Sequence, residues 1–144
     1  MRKSGILNSE LQCAITELRH GDGLAVVDQG FPIPKGSYVI DLSLVSGIPT
    51  FRQVIKALMD EMRFCEYYLV EMIDTENPEY YELISKNCVK YDIKEIIPMA
   101  DFVEKVKEAK VVIRTAEPLP FSNIYLTSCS GDPWSAEEYE VTID

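Results

Sequence analysis

His20 is the chain's one histidine, and Asp22, Asp28 and Asp41 follow it within Leu18 to Asp41, a stretch that also holds a rigid Pro32-Ile33-Pro34 loop between two apolar runs. An imidazole and carboxylates are the side chains that give and take protons near neutral pH, so this set suits general acid–base work if the fold brings it together. Each residue also has a plainer role. A histidine just before a glycine turn commonly sits at a helix end, where the macrodipole favours it, and aspartates commonly shape turns. On residue types alone the plainer roles weigh more.

Other chemistries lose weight by the absence of their motifs. There is no Gly-x-Gly-x-x-Gly after a strand, no Walker lysine loop and no Gly-x-Ser-x-Gly elbow, which argues against nucleotide and serine-hydrolase readings. Cys13, Cys65, Cys88 and Cys129 lie far apart with no Cys-x-x-Cys pair, so they read as reduced core residues, and no metal is expected. Acids outnumber bases 24 to 14, and the net charge of -10 would repel nucleic-acid backbones and anionic membranes while leaving a neutral small molecule as a compatible partner. No apolar window approaches the ~18 residues of a membrane span, and Met1-Arg2-Lys3 leads into mixed polar sequence unlike a signal peptide. The expected compartment is the cytoplasm.

The elements that must position these residues follow from periodicity. Leu11, Ile15 and Leu18 recur at helical spacing after Asn8 and Ser9, which predicts a helix to about Arg19. A turn at Gly21 to Gly23 then leads into a buried strand from Leu24 to Val27, with an acidic loop at its carboxyl end, where ligands usually sit in open α/β sheets. Tyr38 to Leu42 reads as a short strand. Thr50 and Gln53 form a capping box for a helix through Val54, Leu58 and Met62, with Pro49 just before it. Tyr67 to Met72 has strand length, and Asn77-Pro78 opens a helix through Tyr81 and Ile84. Strands are predicted at Ile93 to Ile97, Val111 to Arg114 and Ile124 to Thr127, with a helix over Ala100 to Glu108. With 144 residues, 47% of them apolar, the chain predicts one domain over residues 1–130. Alternating strands and helices, with continuous apolar strands, predict an α/β fold: a mostly parallel sheet covered by helices on both faces. Residues 131–144 carry five acids and no base, and are expected to form a mobile or loosely docked acidic tail.

Ordered motifs along roughly residues 5 to 128 carry a family resemblance. Leu7-Asn8-Ser9, His20-Gly21-Asp22, Asp28-Gln29-Gly30-Phe31-Pro32-Ile33-Pro34 and Ile40-Asp41 are followed by Gly47-Ile48-Pro49-x-Phe51, Val112-Ile113-Arg114-Thr115-x-Glu117 and Pro120-Phe121-Ser122-Asn123-Ile124, with a weak match between Ile73 and Ile97. The set resembles the RbsD/FucU family of sugar mutarotases. The loop after Asp28 is similar to the D-ribose pyranase branch rather than the fucose branch. The resemblance implies an isomerase that interconverts pyranose and furanose ribose without a cofactor. It also implies a cytoplasmic homo-oligomeric ring, a decamer being one candidate, with sites between neighbouring subunits. By the same resemblance His20 is the proton donor, Asp28 binds or orients the sugar, Asn123 holds hydroxyls, and Asp22 supports the imidazole.

Two positions depart from the family's pattern. Met99 stands where members carry a ligand-contacting histidine or arginine, and Phe121 replaces the tyrosine of a Tyr-x-Asn motif. Both are candidate substrate-binding positions and equally candidates for plain packing. A lost buried hydrogen-bond partner costs about 1 to 3 kcal/mol. The departures keep open a sugar-binding or transport-associated protein with weakened catalysis, and a mutarotase for fucose or another monosaccharide. Trp134, beyond the family's usual ending, is expected at a subunit interface.

Overall fold

A computed structural model of the chain describes residues 1–88, 93–130 and 143–144. Trp134 and nearly all of the acidic segment lie outside the described residues; Ile143 is buried in the core.

Asn8 caps helix α1 (Ser9–Glu17), its side chain accepting the Leu11 amide at 2.9 Å. The helix stops two residues short of Arg19 because Leu18 is already extended. Strand β1 (Gly23–Val27) is buried at all its positions, as a strand covered on both faces must be. Strand β2 (Val39–Asp41) follows the Pro-Ile-Pro loop. Helix α2 (Phe51–Met59) begins at the expected capping box, with Thr50 and Gln53 exchanging side-chain to backbone bonds.

Strand β3 (Phe64–Val70) starts and ends earlier than its sequence suggests, since pairing begins at Phe64 opposite Ser128 and Met72 takes a left-handed φ of 70°. A short helix α3 (Ile73–Glu76) precedes α4 (Pro78–Asn87), which has Pro78 in its first turn. Asn77 does not cap α4 with its side chain; the amide instead donates to Ser122 Oγ at 2.7 Å. Strand β4 (Ile93–Ile97), helix α5 (Met99–Lys107) and strands β5 (Val111–Arg114) and β6 (Ile124–Ser128) complete the order.

The six strands form one sheet in the order β2-β5-β1-β6-β3-β4. The pairs β1–β5, β2–β5 and β3–β4 are parallel, while β6 runs antiparallel to both β1 and β3. The fold is α/β with a mixed sheet. The direction of β6 has a simple cause: residues 115–123 are too few to carry the crossover of a dozen or more residues that a parallel return needs.

Alternation along β1 feeds two cores. Leu24 and Val26 join Phe51, Leu58 and Ile84 under α1, α2 and α4. Ala25 and Val27 face the other side with Phe102 and Val106 of α5 and Phe31 from the loop. Gly23 seats the Tyr125 hydroxyl, and a Cβ there would collide with it. The cysteines are reduced thiols but none is fully buried, against the expectation from their apolar surroundings, and Cys88 packs against the core from its edge. Cys13 is exposed and Cys65, Cys88 and Cys129 are half-buried, because each stands at an edge of its apolar pattern.

Candidate functional site

Asp28 leaves the carboxyl end of β1, and Asn123 enters the amino end of β6. Because these strands are antiparallel neighbours with Val26 opposite Ile124, the two residues meet despite lying 95 positions apart. The Asp28 amide donates to Asn123 Oδ1 at 2.8 Å, and Asn123 Nδ2 donates to Asp28 Oδ2 at 3.0 Å. The Gly30 amide donates to Asp28 Oδ1 at 2.9 Å. Asp28 is 7% exposed and Asn123 fully buried. Burial pushes the Asp28 carboxyl above the usual carboxylate range and the Glu117 carboxylate adds to this; the bonds from Asn123 and Gly30 oppose it.

Asn123 Nδ2 carries two hydrogens, and Asp28 takes one of them. The arrangement has a consequence for pH. Asn123→Ala removes a bond that favours the ionised carboxyl, so the Asp28 titration should move to higher pH. Carboxyl 13C NMR of the labelled protein reads that shift directly, and an unmoved midpoint would contradict the coupling. In the unfolded chain the carboxyl is at its ordinary value, so the native state holds this proton more tightly. Asp28 therefore stabilises the fold at low pH, and that contribution is lost as pH rises through its titration.

Glu117 lies under this corner, 3% exposed, and accepts Tyr80 Oη at 2.6 Å and the Phe51 amide at 3.2 Å. It thereby joins α4 to the first turn of α2, where a carboxylate is favoured. The Tyr80 hydroxyl is driven well above its ordinary value by burial and by Glu117.

Phe121 is half-buried and packs against both cores, with a left-handed φ of 65°. A bulky residue rarely adopts that conformation, and such strain tends to collect at functional turns. The turn is braced by Ser122 Oγ, which donates to Leu119 O at 2.9 Å and accepts the Asn77 amide. Met99 opens α5, its amide donating to Glu71 Oε1 at 2.9 Å, and its side chain packs against the same core as Phe31.

His20 and Asp22 stand elsewhere. The Gly21 amide donates to Ser128 O at 2.8 Å, and the Ser130 amide points at His20 Nδ1 at 3.5 Å, which places the imidazole beside the carboxyl end of β6. His20 is exposed. Asp22 accepts the Arg19 amide at 2.7 Å and Lys110 Nζ at 2.9 Å. The hydrogen bond from Lys110, with that from Arg19, holds its carboxyl below the usual range. No hydrogen bond joins Asp22 to His20 among the described residues.

The candidate residues thus form two half-sites at opposite ends of one strand. Gly23 to Val27 alone spans about 13 Å at ~3.3 Å per residue, and β6 separates Asn123 from Ser130 in the same way. Asp28, Asn123 and Phe121 come together; His20 does not reach them within one chain. His20 and the Asp28–Asn123 pair can touch one small ligand only if two copies meet. Among the described residues no three His, Cys, Asp or Glu side chains converge as a metal-ligand set, and no helix is long and apolar enough to cross a membrane.

Sequence reasoning did not assign Arg114, Thr115 and Glu117, although they stand in one of the quoted motifs. Their partners lie across the sheet, so only the register shows what they hold.

Residues 1–130 match the family model described as the RbsD / FucU transport protein family. The chain is 40% identical over 139 residues to the D-ribose pyranase of Geobacillus kaustophilus, covering 96% of this chain and 100% of that protein. Its fold is similar to that of Bacillus subtilis RbsD complexed with D-ribose, with a TM-score of 0.84 and 33% identity across 92% of this chain and 100% of that one. The fucose mutarotase of Streptococcus pneumoniae, in complex with L-fucose, shares the fold at a TM-score of 0.73 and 16% identity, covering 88% of this chain and 95% of that one.

Proposed function

The chain belongs to the RbsD/FucU family, and we propose that it is a D-ribose pyranase, an isomerase that interconverts the pyranose and furanose forms of ribose in the cytoplasm. The observation that carries this reading is the full-length likeness to D-ribose pyranases, and the buried, hydrogen-bonded Asp28–Asn123 pair is in keeping with it.

The reaction needs proton transfers and no redox partner. His20 donates a proton to the ring oxygen as the bond from the anomeric carbon to that oxygen breaks. The anomeric hydroxyl gives up its proton to a base, leaving the aldehyde. The C4 hydroxyl then attacks the aldehyde carbon, its proton passes to His20, and the carbonyl oxygen recovers a proton as the furanose closes. Asp28 accepts a sugar hydroxyl and Asn123 donates its second N–H to another, which fixes the sugar against the acid. Since one copy keeps His20 and Asp28 at opposite ends of β1, the site joins His20 of one copy to Asp28, Asn123, Phe121 and Met99 of its neighbour. A contact of one face against a different face of the next copy forms a ring when the rotation between copies closes, which is compatible with a ring-shaped homo-oligomer.

A second reading, a sugar-binding protein with weakened catalysis, rests on Met99 and Phe121, neither of which offers a side-chain donor. Phe121→Tyr adds a hydroxyl at the braced turn. One neutral hydrogen bond is worth ~0.5–1.5 kcal/mol, so kcat/KM for ribose should rise about two- to ten-fold. Saturation-transfer NMR with D-ribose and with L-fucose separates the readings. Faster pyranose–furanose exchange for ribose supports the pyranase; ribose binding at the protein-free exchange rate supports the second reading; acceleration confined to fucose reassigns the substrate.

A further inference from the structure

We propose that Arg114 is a positioning residue for the Asp28 carboxylate, an inference that rests on the mutarotase reading above. Val27 is the last paired residue of β1, and the backbone beyond it has left the strand ladder and needs other partners. Val27 O accepts both the amide and Oγ1 of Thr115 at 2.9 Å, and the Gln29 amide donates to Glu117 O at 3.0 Å. Gln29 O accepts Arg114 Nε at 3.2 Å and Nη2 at 2.8 Å. The remaining branch, Nη1, donates to Asp41 Oδ2 at 2.9 Å and Ser43 Oγ at 2.8 Å.

Register explains this convergence. Arg114 lies at the end of β5, opposite Val27 of β1 on one side and Asp41 of β2 on the other. Its guanidinium therefore spans the carboxyl ends of three strands. The link to the carboxylate is short: Gln29 O anchors the turn whose next amide, Gly30, donates to Asp28 Oδ1. Releasing Gln29 O lets that amide drift from the carboxylate.

The ion pair with Asp41 does not account for the residue, because a pair this exposed contributes little. A planar fork is required. A lysine at this position meets Asp41 with its single ammonium but cannot also hold Gln29 O with two fixed donors.

The test compares wild-type protein with Arg114→Lys, Arg114→Met and a stability control, Val54→Ala, which opens a small cavity in α2 away from the site. Saturation-transfer rates across ribose concentrations give kcat and KM, and hydrogen exchange reads the Gly30 amide in the ligand-free protein. Both Arg114 variants should raise KM about ten-fold with kcat within about two-fold, the pattern of lost binding rather than lost chemistry. Their Gly30 amide should exchange at least about ten-fold faster while the Leu69 amide in β3 is unmoved. Val54→Ala should lower the melting temperature and leave KM alone. A folded Arg114→Lys with wild-type KM and wild-type Gly30 exchange overturns the proposal, and this variant keeps the test available if Arg114→Met does not fold. If wild-type protein leaves ribose exchange unaccelerated, the mutarotase reading fails, and the Gly30 amide alone still decides whether Arg114 sets the turn.

Discussion

His20→Ala should lower the protein's acceleration of ribose ring exchange by about a hundred- to ten-thousand-fold, the range that a positioned general acid contributes. Water is a weak acid that protonates the departing ring oxygen only slowly, and no other residue of this chain is a histidine. Folding should survive the change, because the imidazole is exposed and its one polar contact among the described residues is a long one from the Ser130 amide. Circular dichroism and size-exclusion elution of the variant should match the wild type. Ribose affinity should change little, since the proposed hydroxyl-holding pair Asp28–Asn123 belongs to the other half-site. A variant that keeps its activity would remove His20 from the reaction. One that loses activity together with its fold would leave Asn8-capped α1 and the Gly21 turn as the reason.

Mixing two inactive variants should restore activity. In His20→Ala every copy retains Asp28, and in Asp28→Ala every copy retains His20. If each site takes its acid from one copy and its carboxylate from the next, random equimolar assembly leaves about a quarter of the sites with both groups intact. Co-expressed variants should therefore show about a quarter of the wild-type rate per subunit, against near-background rates for each alone. The expectation comes from strand length: no side-chain rotation closes the span of β1. Activity no greater than the sum of the separate variants would place both groups in one chain and overturn the two-copy site.

Much of the framework was legible from residue patterns. The buried run Leu24–Val27, the Thr50–Gln53 capping box and the strand Val111–Arg114 all appear where periodicity and capping chemistry place them. Strand direction was not, because an apolar run such as Ile124 to Leu126 looks alike in either sense; only the shortness of the preceding link carried the information. Asn77 reads locally as a helix cap, yet a buried hydroxyl at Ser122 is the better partner for its amide.

The candidate site divides in the same manner. His20, Asp22 and Asp28 look like one cluster because nine positions cover them, but a predicted strand between His20 and Asp28 already implies that they point to opposite ends of the sheet. Asp22 is taken by Lys110, 88 positions away, and no local pattern announces that pair. Asn123 beside Asp28 is likewise invisible to periodicity and entered the sequence reading only through the family resemblance. Arg114 stands within a motif that carries no role for it, since its contacts depend on the β2-β5-β1 register.

The rate of pyranose–furanose exchange in D-ribose, measured by saturation-transfer NMR near neutral pH, tests the central claim most directly. Wild-type protein should accelerate it above the protein-free rate, His20→Ala should abolish that acceleration, and the mixture with Asp28→Ala should bring part of it back. Wild-type exchange no faster than in buffer, for protein that is folded and saturated with ribose, would contradict the assignment.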